Sequence, residues 1–200
     1  MRAVFLDRDG VICRNRDDHV KSWDEFQFLY RAREAIARLT EAGLPVVVIS
    51  NQAIVNRGIV PASVVEDIHR RMVAEVEARG GRIAGVYYCP HRPDEQCSCR
   101  KPRPGMLLQA ASDLGIVLEH SYLIGDAIAD IQAAQAVGAK AHMVLSGRGL
   151  GQYLESRRRG IVGFRLAVNL WGAVDDLLRI EPLQLMQSGR SLTQSGMIKP

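Results

Sequence analysis

The stretch 2–10, "RAVFLDRDG", runs four apolar residues into two aspartates spaced one residue apart. A short apolar run closed by a turn-forming glycine predicts a strand over 2–7 with a polar tip. Alternate side chains of an extended backbone share a face, so Asp7 and Asp9 are sent to the same side. The same form recurs along the chain. "LPVVVISN" (44–51), "IAGVYY" (83–88), "SYLIGD" (121–126) and "AKAHMVL" (139–145) read as strands covered on both faces. Between them lie amphipathic stretches. Residues 31–43 place Ala32, Ala35, Ile36 and Leu39 on one side; 61–81 opens at Pro61; 104–115 and 127–138 each end at a glycine. Strands alternating with helices predict an α/β fold built on a doubly wound, mostly parallel sheet.

Composition bounds the rest. The 200 residues are 47% hydrophobic and 24% charged, the balance of one globular domain, which we place at 1–183. After residue 146 the pattern weakens to a loop and helix in "GRGLGQYLESRRRG", a last strand in "GFRLAVNL" and a last helix in "WGAVDDLLRI". Glycines 147, 149 and 151 do not match the spacing of a dinucleotide fingerprint. The polar segment 184–200 is expected to be a frayed, flexible tail. No apolar run approaches the ~20 residues of a membrane span, and the start enters a strand rather than a signal peptide, so a cytoplasmic protein is expected. The net charge of +4 and pI near 9.0 leave an anionic small molecule open as partner. Only 6% of the chain is aromatic, which argues against a nucleic-acid surface, and "ESRRRG" reads as a solvated helix end. Nothing demands more than a monomer.

In such sheets ligands bind at the carboxyl ends of the strands. There the first strand offers Asp7 and Asp9, the second Ser50, Asn51 and Gln52, and the fourth Asp126, with Asp130 one helical turn later. Several carboxylates on one edge repel each other, and a hard cation removes the conflict; magnesium suits it, keeping room for substrate phosphate oxygens. One carboxylate can then attack phosphorus while a second moves the proton. Phosphoryl transfer also needs donors around the equatorial oxygens, for which Lys101, Ser50 and Asn51 are the candidates. An aspartate after a strand is ordinarily a helix cap. Here four such signals occur in order, which a cap does not explain.

A second cluster is "CPHRPDEQCSC" (89–99). Cys89, His91, Cys97 and Cys99 supply three thiolates and one imidazole, a full tetrahedral zinc shell with no open position and therefore a structural site. Disulfides and a redox cluster are the weaker readings in a reducing compartment. Cys13 stands apart from this group.

These pieces resemble the haloacid-dehalogenase-like phosphatase superfamily: Asp7 and Asp9, Ser50, Lys101, then Asp126 with Asp130 correspond to its four motifs in order. With "SNQ", "YYCPH", "CSCRKPRPGM" and "IGDAIADIQAA", residues 2–148 are similar to the D-glycero-D-manno-heptose 1,7-bisphosphate 7-phosphatase family and its relatives, the histidinol-phosphate phosphatases. The resemblance implies a Rossmann-like sheet without a large cap domain. It implies a nucleophile at Asp7 and an acid/base at Asp9. Magnesium would be held by the Asp7 side chain, the Asp9 backbone carbonyl and Asp126, with Asp130 supporting. Ser50 and Lys101 would stabilise the phosphoryl group. Asn15, Arg16, Asp17, Asp18, Asn51, Gln52, Ala53 and Arg100 would contact substrate, Ala53 through its backbone. Ser50 stands where threonine is usual, and "GDAIAD" lacks the lysine and glutamate of some members.

Three functions stay open on these residues. A magnesium-dependent sugar bisphosphate phosphatase fits Arg100 and the positive charge. A histidinol-phosphate phosphatase would use Asp17 and Asp18 against a cationic amine. A non-catalytic zinc-stabilised binding module would have lost one of Asp7, Asp9, Lys101 or Asp126, and none is lost.

Overall fold

In the computed structural model, residues 1–180 and 197–199 are described. The chain runs β1 (Val4–Leu6), α1 (Ala32–Glu41), β2 (Val46–Asn51), α2 (Ala62–Glu77), β3 (Ile83–Cys89), α3 (Gly105–Leu114), β4 (Tyr122–Gly125), α4 (Ile128–Gln135), β5 (Lys140–Val144), α5 (Gly149–Arg158), β6 (Phe164–Ala167), α6 (Leu170–Ile180) and β7 (Met197–Lys199). The strands form one sheet in the order β6-β5-β4-β1-β2-β3-β7. Every pairing is parallel.

Strand alternation sorts the core into two layers. Val4 and Leu6 of β1, with Val46 and Val48 of β2, pack on Ile36 and Leu39 of α1, Ile68 and Met72 of α2, and Val174 and Leu177 of α6. Phe5, Val47 and Ile49 face the other way, onto Met106 and Leu107 of α3 and Ile128 and Ile131 of α4. The expected doubly wound α/β architecture is therefore the observed one. The helices are shorter than their apolar patterns; α2 stops at Glu77 and the chain turns through Gly80 at φ +78°.

The winding reverses beside β1: β2 and β3 are added on one side, β4, β5 and β6 on the other. Leu6 pairs with Val48 and with Ile124, so Asp7 and Asp126 emerge together at the switch point. The connection from β1 to α1 holds a single short 3-10 turn, Trp23–Glu25, pinned by stacking of Trp23 on Phe26 with Phe28 at their edges. No cap domain interrupts the described residues, as expected. None of their helices is long and apolar enough to cross a membrane.

The expected frayed tail, 184–200, lies outside the described residues up to 196. Beyond that the expectation fails: Met197–Lys199 pair in parallel with Gly85, Val86 and Tyr87. The physical reason is the edge of β3, whose backbone N–H and C=O groups gain partners from an added strand. The polar composition of the preceding residues does not signal this.

Candidate active site

Asp7 follows β1 directly, and its N–H donates to the Ile124 carbonyl at 3.0 Å, which fixes the tip of β1 against β4. Gly10, three residues on, turns the chain at φ +86°; a Cβ there would overlap the Asp126 carboxylate. Gly10→Ala should therefore push Asp126 away, lowering Tm by roughly 4–8 °C for a cost of about 2 kcal/mol. A melt matching wild type would show that the contact yields.

Asp7, Asp126 and Asp130 are all buried, and one carboxylate oxygen of each lies within 4.8 Å of the others. Lys101 enters the same space. Its Nζ is 2.9 Å from Asp7 Oδ1 and 2.6 Å from Asp130 Oδ1, and donates to the Ile49 carbonyl at 3.0 Å. Burial works against the ammonium, yet Asp130 and Asp7 outweigh it and raise its pKa. Asp130 also reaches back to accept from the Ala127 N–H at 3.1 Å, opening α4. Burial, helped by Asp130, Asp126 and Asp9 and opposed by Lys101, pushes Asp7 up to about 7. Burial and Asp130 push Asp126 up to about 6. Asp126 Oδ1 has no hydrogen-bond partner among the described residues. Lys101 and the half-exposed Arg148, 3.5 Å from Asp126 Oδ1, still leave three carboxylates short of positive charge, and the all-oxygen donors fit a hard divalent cation.

Asp9 sits differently. Arg8 donates through Nη2 to both Asp9 oxygens at 3.0 Å, and Gln52 Nε2 donates to Oδ2 at 2.8 Å. Against the opposing effect of burial, Arg8 and then Gln52 hold the Asp9 carboxyl below its ordinary range. Behind Arg8, the buried His69 of α2 lies 3.1 Å from Nη1.

These groups open on a cleft of about 390 Å³ lined by Asp7, Asp9, Ser50, Lys101 and Asp130, with the fully buried Asp126 carboxylate within 4.8 Å of those of Asp7 and Asp130. Of the expected substrate contacts, Asn15, Arg16, Asp17, Asn51, Ala53 and Arg100 line it. Gln52 does not: its side-chain amide donates to Asp9 and Ser50 and accepts from Arg8 inside the protein. Asp18 does not either, because Arg16 and Lys21 draw it outward. Asn51 reaches the cleft but accepts from the Lys101 N–H and donates to its carbonyl, both at 3.1 Å, so it braces Lys101. Missed from the sequence are His19, Arg57, Arg148 and Gln152 on the cleft wall and Arg8 and His69 behind it. For Arg148 the glycines around it were a signal; for Arg8 and His69 none existed.

The cysteine cluster forms beside the cleft. Cys99 Sγ lies 3.1 Å from Cys89 Sγ, 3.4 Å from Cys97 Sγ and 3.3 Å from His91 Nδ1; Cys89 is 3.5 Å from both Cys97 and His91. Sulfurs this far apart are not disulfide-bonded, a link of ~2.05 Å. Three thiols and an imidazole at near-tetrahedral edges fit zinc. Arg100 donates to the His91 carbonyl at 3.1 Å and Arg103 to the Cys97 carbonyl at 2.6 Å, so the cluster and the approach to Lys101 are one folded unit.

Crowded carboxylates around a buried lysine, at a switch point open to solvent, can hold a divalent cation and receive a phosphoryl group. That chemistry places the chain among the haloacid-dehalogenase-like phosphoric monoester hydrolases, and a family model described as HAD-hydrolase-like matches residues 98–162. The chain is 42% identical over 147 residues to the D-glycero-beta-D-manno-heptose-1,7-bisphosphate 7-phosphatase of Pseudomonas aeruginosa, covering 74% of this chain and 83% of that one. It is 40% identical over 149 residues to the enzyme of the same name from Neisseria meningitidis serogroup A, covering 74% and 80%. Among solved structures, D,D-heptose 1,7-bisphosphate phosphatase from B. bronchiseptica, complexed with magnesium and phosphate, matches at TM-score 0.85 and 35% identity, over 90% of this chain and 100% of that one. The corresponding phosphatase from Burkholderia thailandensis matches at TM-score 0.69 and 31% identity, over 89% and 99%. The chain belongs to the D-glycero-beta-D-manno-heptose-1,7-bisphosphate 7-phosphatase family.

Proposed function

We propose that this chain is a magnesium-dependent phosphatase that removes the 7-phosphate of D-glycero-D-manno-heptose 1,7-bisphosphate. It serves nucleotide-activated heptose biosynthesis and works as a monomer in the cytoplasm. The observation that carries this reading is the cleft in which Asp7, Lys101 and Asp130 meet, with the Asp126 carboxylate within 4.8 Å of both aspartates, in a chain 42% identical to a named 7-phosphatase.

Asp7 attacks the phosphorus of the 7-phosphate in line with the bond to the sugar oxygen. As that bond breaks, Asp9 gives its proton to the departing oxygen, leaving an aspartyl-phosphate on Asp7. Asp9 then takes a proton from water, whose oxygen attacks the phosphorus and releases phosphate and free Asp7. Arg8 and Gln52 favour the ionised form that this second step requires, and the proton Asp9 gains from water there is the one it gives to the departing oxygen of the next turnover. Lys101 and Ser50 meet the equatorial oxygens throughout. Asp7, the Asp9 backbone carbonyl and Asp126 would hold magnesium, and Asp130 keeps Lys101 in place. When bound, magnesium supplies positive charge against the phosphoryl oxygens and offsets the crowding of Asp7 and Asp126.

The rim favours the bisphosphate over histidinol phosphate. Arg16, Arg57 and Arg100 line the cleft against a single acidic candidate for a cationic amine, Asp17, while Asp18 does not line it and is paired with Arg16 and Lys21. The relatives' names carry the beta anomer, and we extend that preference to this chain. Parallel kinetics on the two anomers and on histidinol phosphate test it: the beta anomer should give the highest kcat/KM, and faster turnover of histidinol phosphate would overturn the assignment.

Zinc on Cys89, His91, Cys97 and Cys99 acts through position. Lys101 stands two residues after the last ligand, and a displacement of about 1 Å can cost ~100-fold in rate. Zinc-stripped protein resupplied with magnesium should be at least about tenfold slower, and trypsin should cut it after Arg100. Full activity in protein verified zinc-free would contradict this role.

A further inference from the structure

Between β5 and α5 the chain reads "SGRG" (146–149), the start of a glycine-rich stretch that the chemistry above does not use. It is built into the site from its backbone outward. Ser146 Oγ donates to the Gly10 carbonyl at 2.7 Å. Gly147 adopts φ +61°, and a Cβ there would overlap both the Asp126 carboxylate and the Cα of Gly10. Only glycine lets the segment close on the loop after β1. The Arg148 N–H donates to Asp126 Oδ2 at 2.8 Å. One turn into α5, Gln152 Oε1 accepts from the Ile128 N–H at 3.0 Å, tying α5 to the first turn of α4.

The backbone of Arg148 is thus fixed by a hydrogen bond, while its side chain is held by an ion pair with Asp126. That side chain is 55% exposed, lines the cleft, and holds its guanidinium 3.5 Å from Asp126 Oδ1, beyond good hydrogen-bond distance. Lys101, by contrast, is buried between two carboxylates, and Arg16 is paired with Asp18 and Glu25.

We propose that Arg148 is a substrate-binding residue whose guanidinium takes the reacting phosphoryl group. This rests on reading the cleft as a phosphomonoesterase site. Asp126 attracts the guanidinium only while its charge is unshared. A divalent cation on Asp7 and Asp126 weakens that attraction, and a phosphate offers the planar guanidinium a bidentate partner. A ligand for phosphate and a brace for Asp126 then differ in sign. Removing a ligand that competes with the cation leaves magnesium binding equal or tighter, whereas removing a brace weakens it.

The test compares wild type with Arg148→Gln and Arg148→Lys. Calorimetry measures magnesium alone and inorganic phosphate at saturating magnesium; kinetics use p-nitrophenyl phosphate and the heptose bisphosphate. Arg148→Gln should weaken inorganic phosphate about tenfold, the loss of one charge-assisted contact. It should raise KM for both esters by a similar factor with kcat moving less, leave magnesium affinity equal or tighter, and be partly rescued by lysine. Unchanged phosphate affinity would overturn the proposal. So would a loss confined to the bisphosphate, which assigns Arg148 to the non-reacting phosphate, or weaker magnesium binding, which makes it a brace. A wild type that hydrolyses neither ester ends the phosphatase reading, and the phosphate calorimetry still decides Arg148.

Discussion

Asp7→Asn should abolish turnover, by roughly 10⁴-fold or more, while leaving the fold intact. The amide keeps the shape of the side chain but offers no anionic oxygen to phosphorus. Stability gives the variant a second signature. The carboxyl of Asp7 is pushed from 3.8 up to about 7. A raised acid of this kind favours folding in its protonated form, so stability falls as the pH rises from its ordinary value through about 7. Asparagine lacks that loss. In metal-free protein the variant's Tm should equal or exceed wild type at pH 8 and converge on it near pH 4. Near-normal rates, checked by discontinuous phosphate release, would show that Asp7 is not the nucleophile.

Lys101→Met should be nearly as severe for turnover and far worse for stability. The ammonium lies between Asp7 and Asp130, and its loss leaves two buried carboxylates uncompensated. Breaking a buried pair from one side costs about 3–5 kcal/mol, and losing a preorganised donor at the phosphoryl oxygens costs on the order of 10²–10³ in kcat. The two effects separate in a double variant. Lys101→Met with Asp130→Asn removes one of those two unpaired charges, so part of the Tm should return while kcat does not. If kcat returned with Tm, Lys101 would be a structural residue whose catalytic effect was only partial unfolding.

The parts of this site readable in advance are those written in local spacing. An apolar run followed by two aspartates declares a strand tip, and Cys89, His91, Cys97 and Cys99 declare a metal shell, because neighbours in sequence remain neighbours in the fold. What stayed hidden depends on which way a polar side chain turns once distant segments pack. Gln52 follows a strand tip and looks like a substrate contact, yet its side-chain amide is turned to Asp9, Ser50 and Arg8. Arg8 carries no local signal of its role, yet it is buried against His69 from α2. Arg148 lies 22 residues beyond Asp126, and its glycines match no fingerprint because they serve a close approach to Gly10. The strand Met197–Lys199 is set by the open edge of β3, which composition does not report.

The most direct test of the central claim is to follow D-glycero-D-manno-heptose 1,7-bisphosphate with this protein and magnesium by phosphorus NMR. The 7-phosphate resonance should give way to inorganic phosphate while the 1-phosphate persists, with no change in the absence of magnesium or with Asp7→Asn. Loss of the 1-phosphate, or two unchanged phosphate resonances with wild type and magnesium, would contradict it.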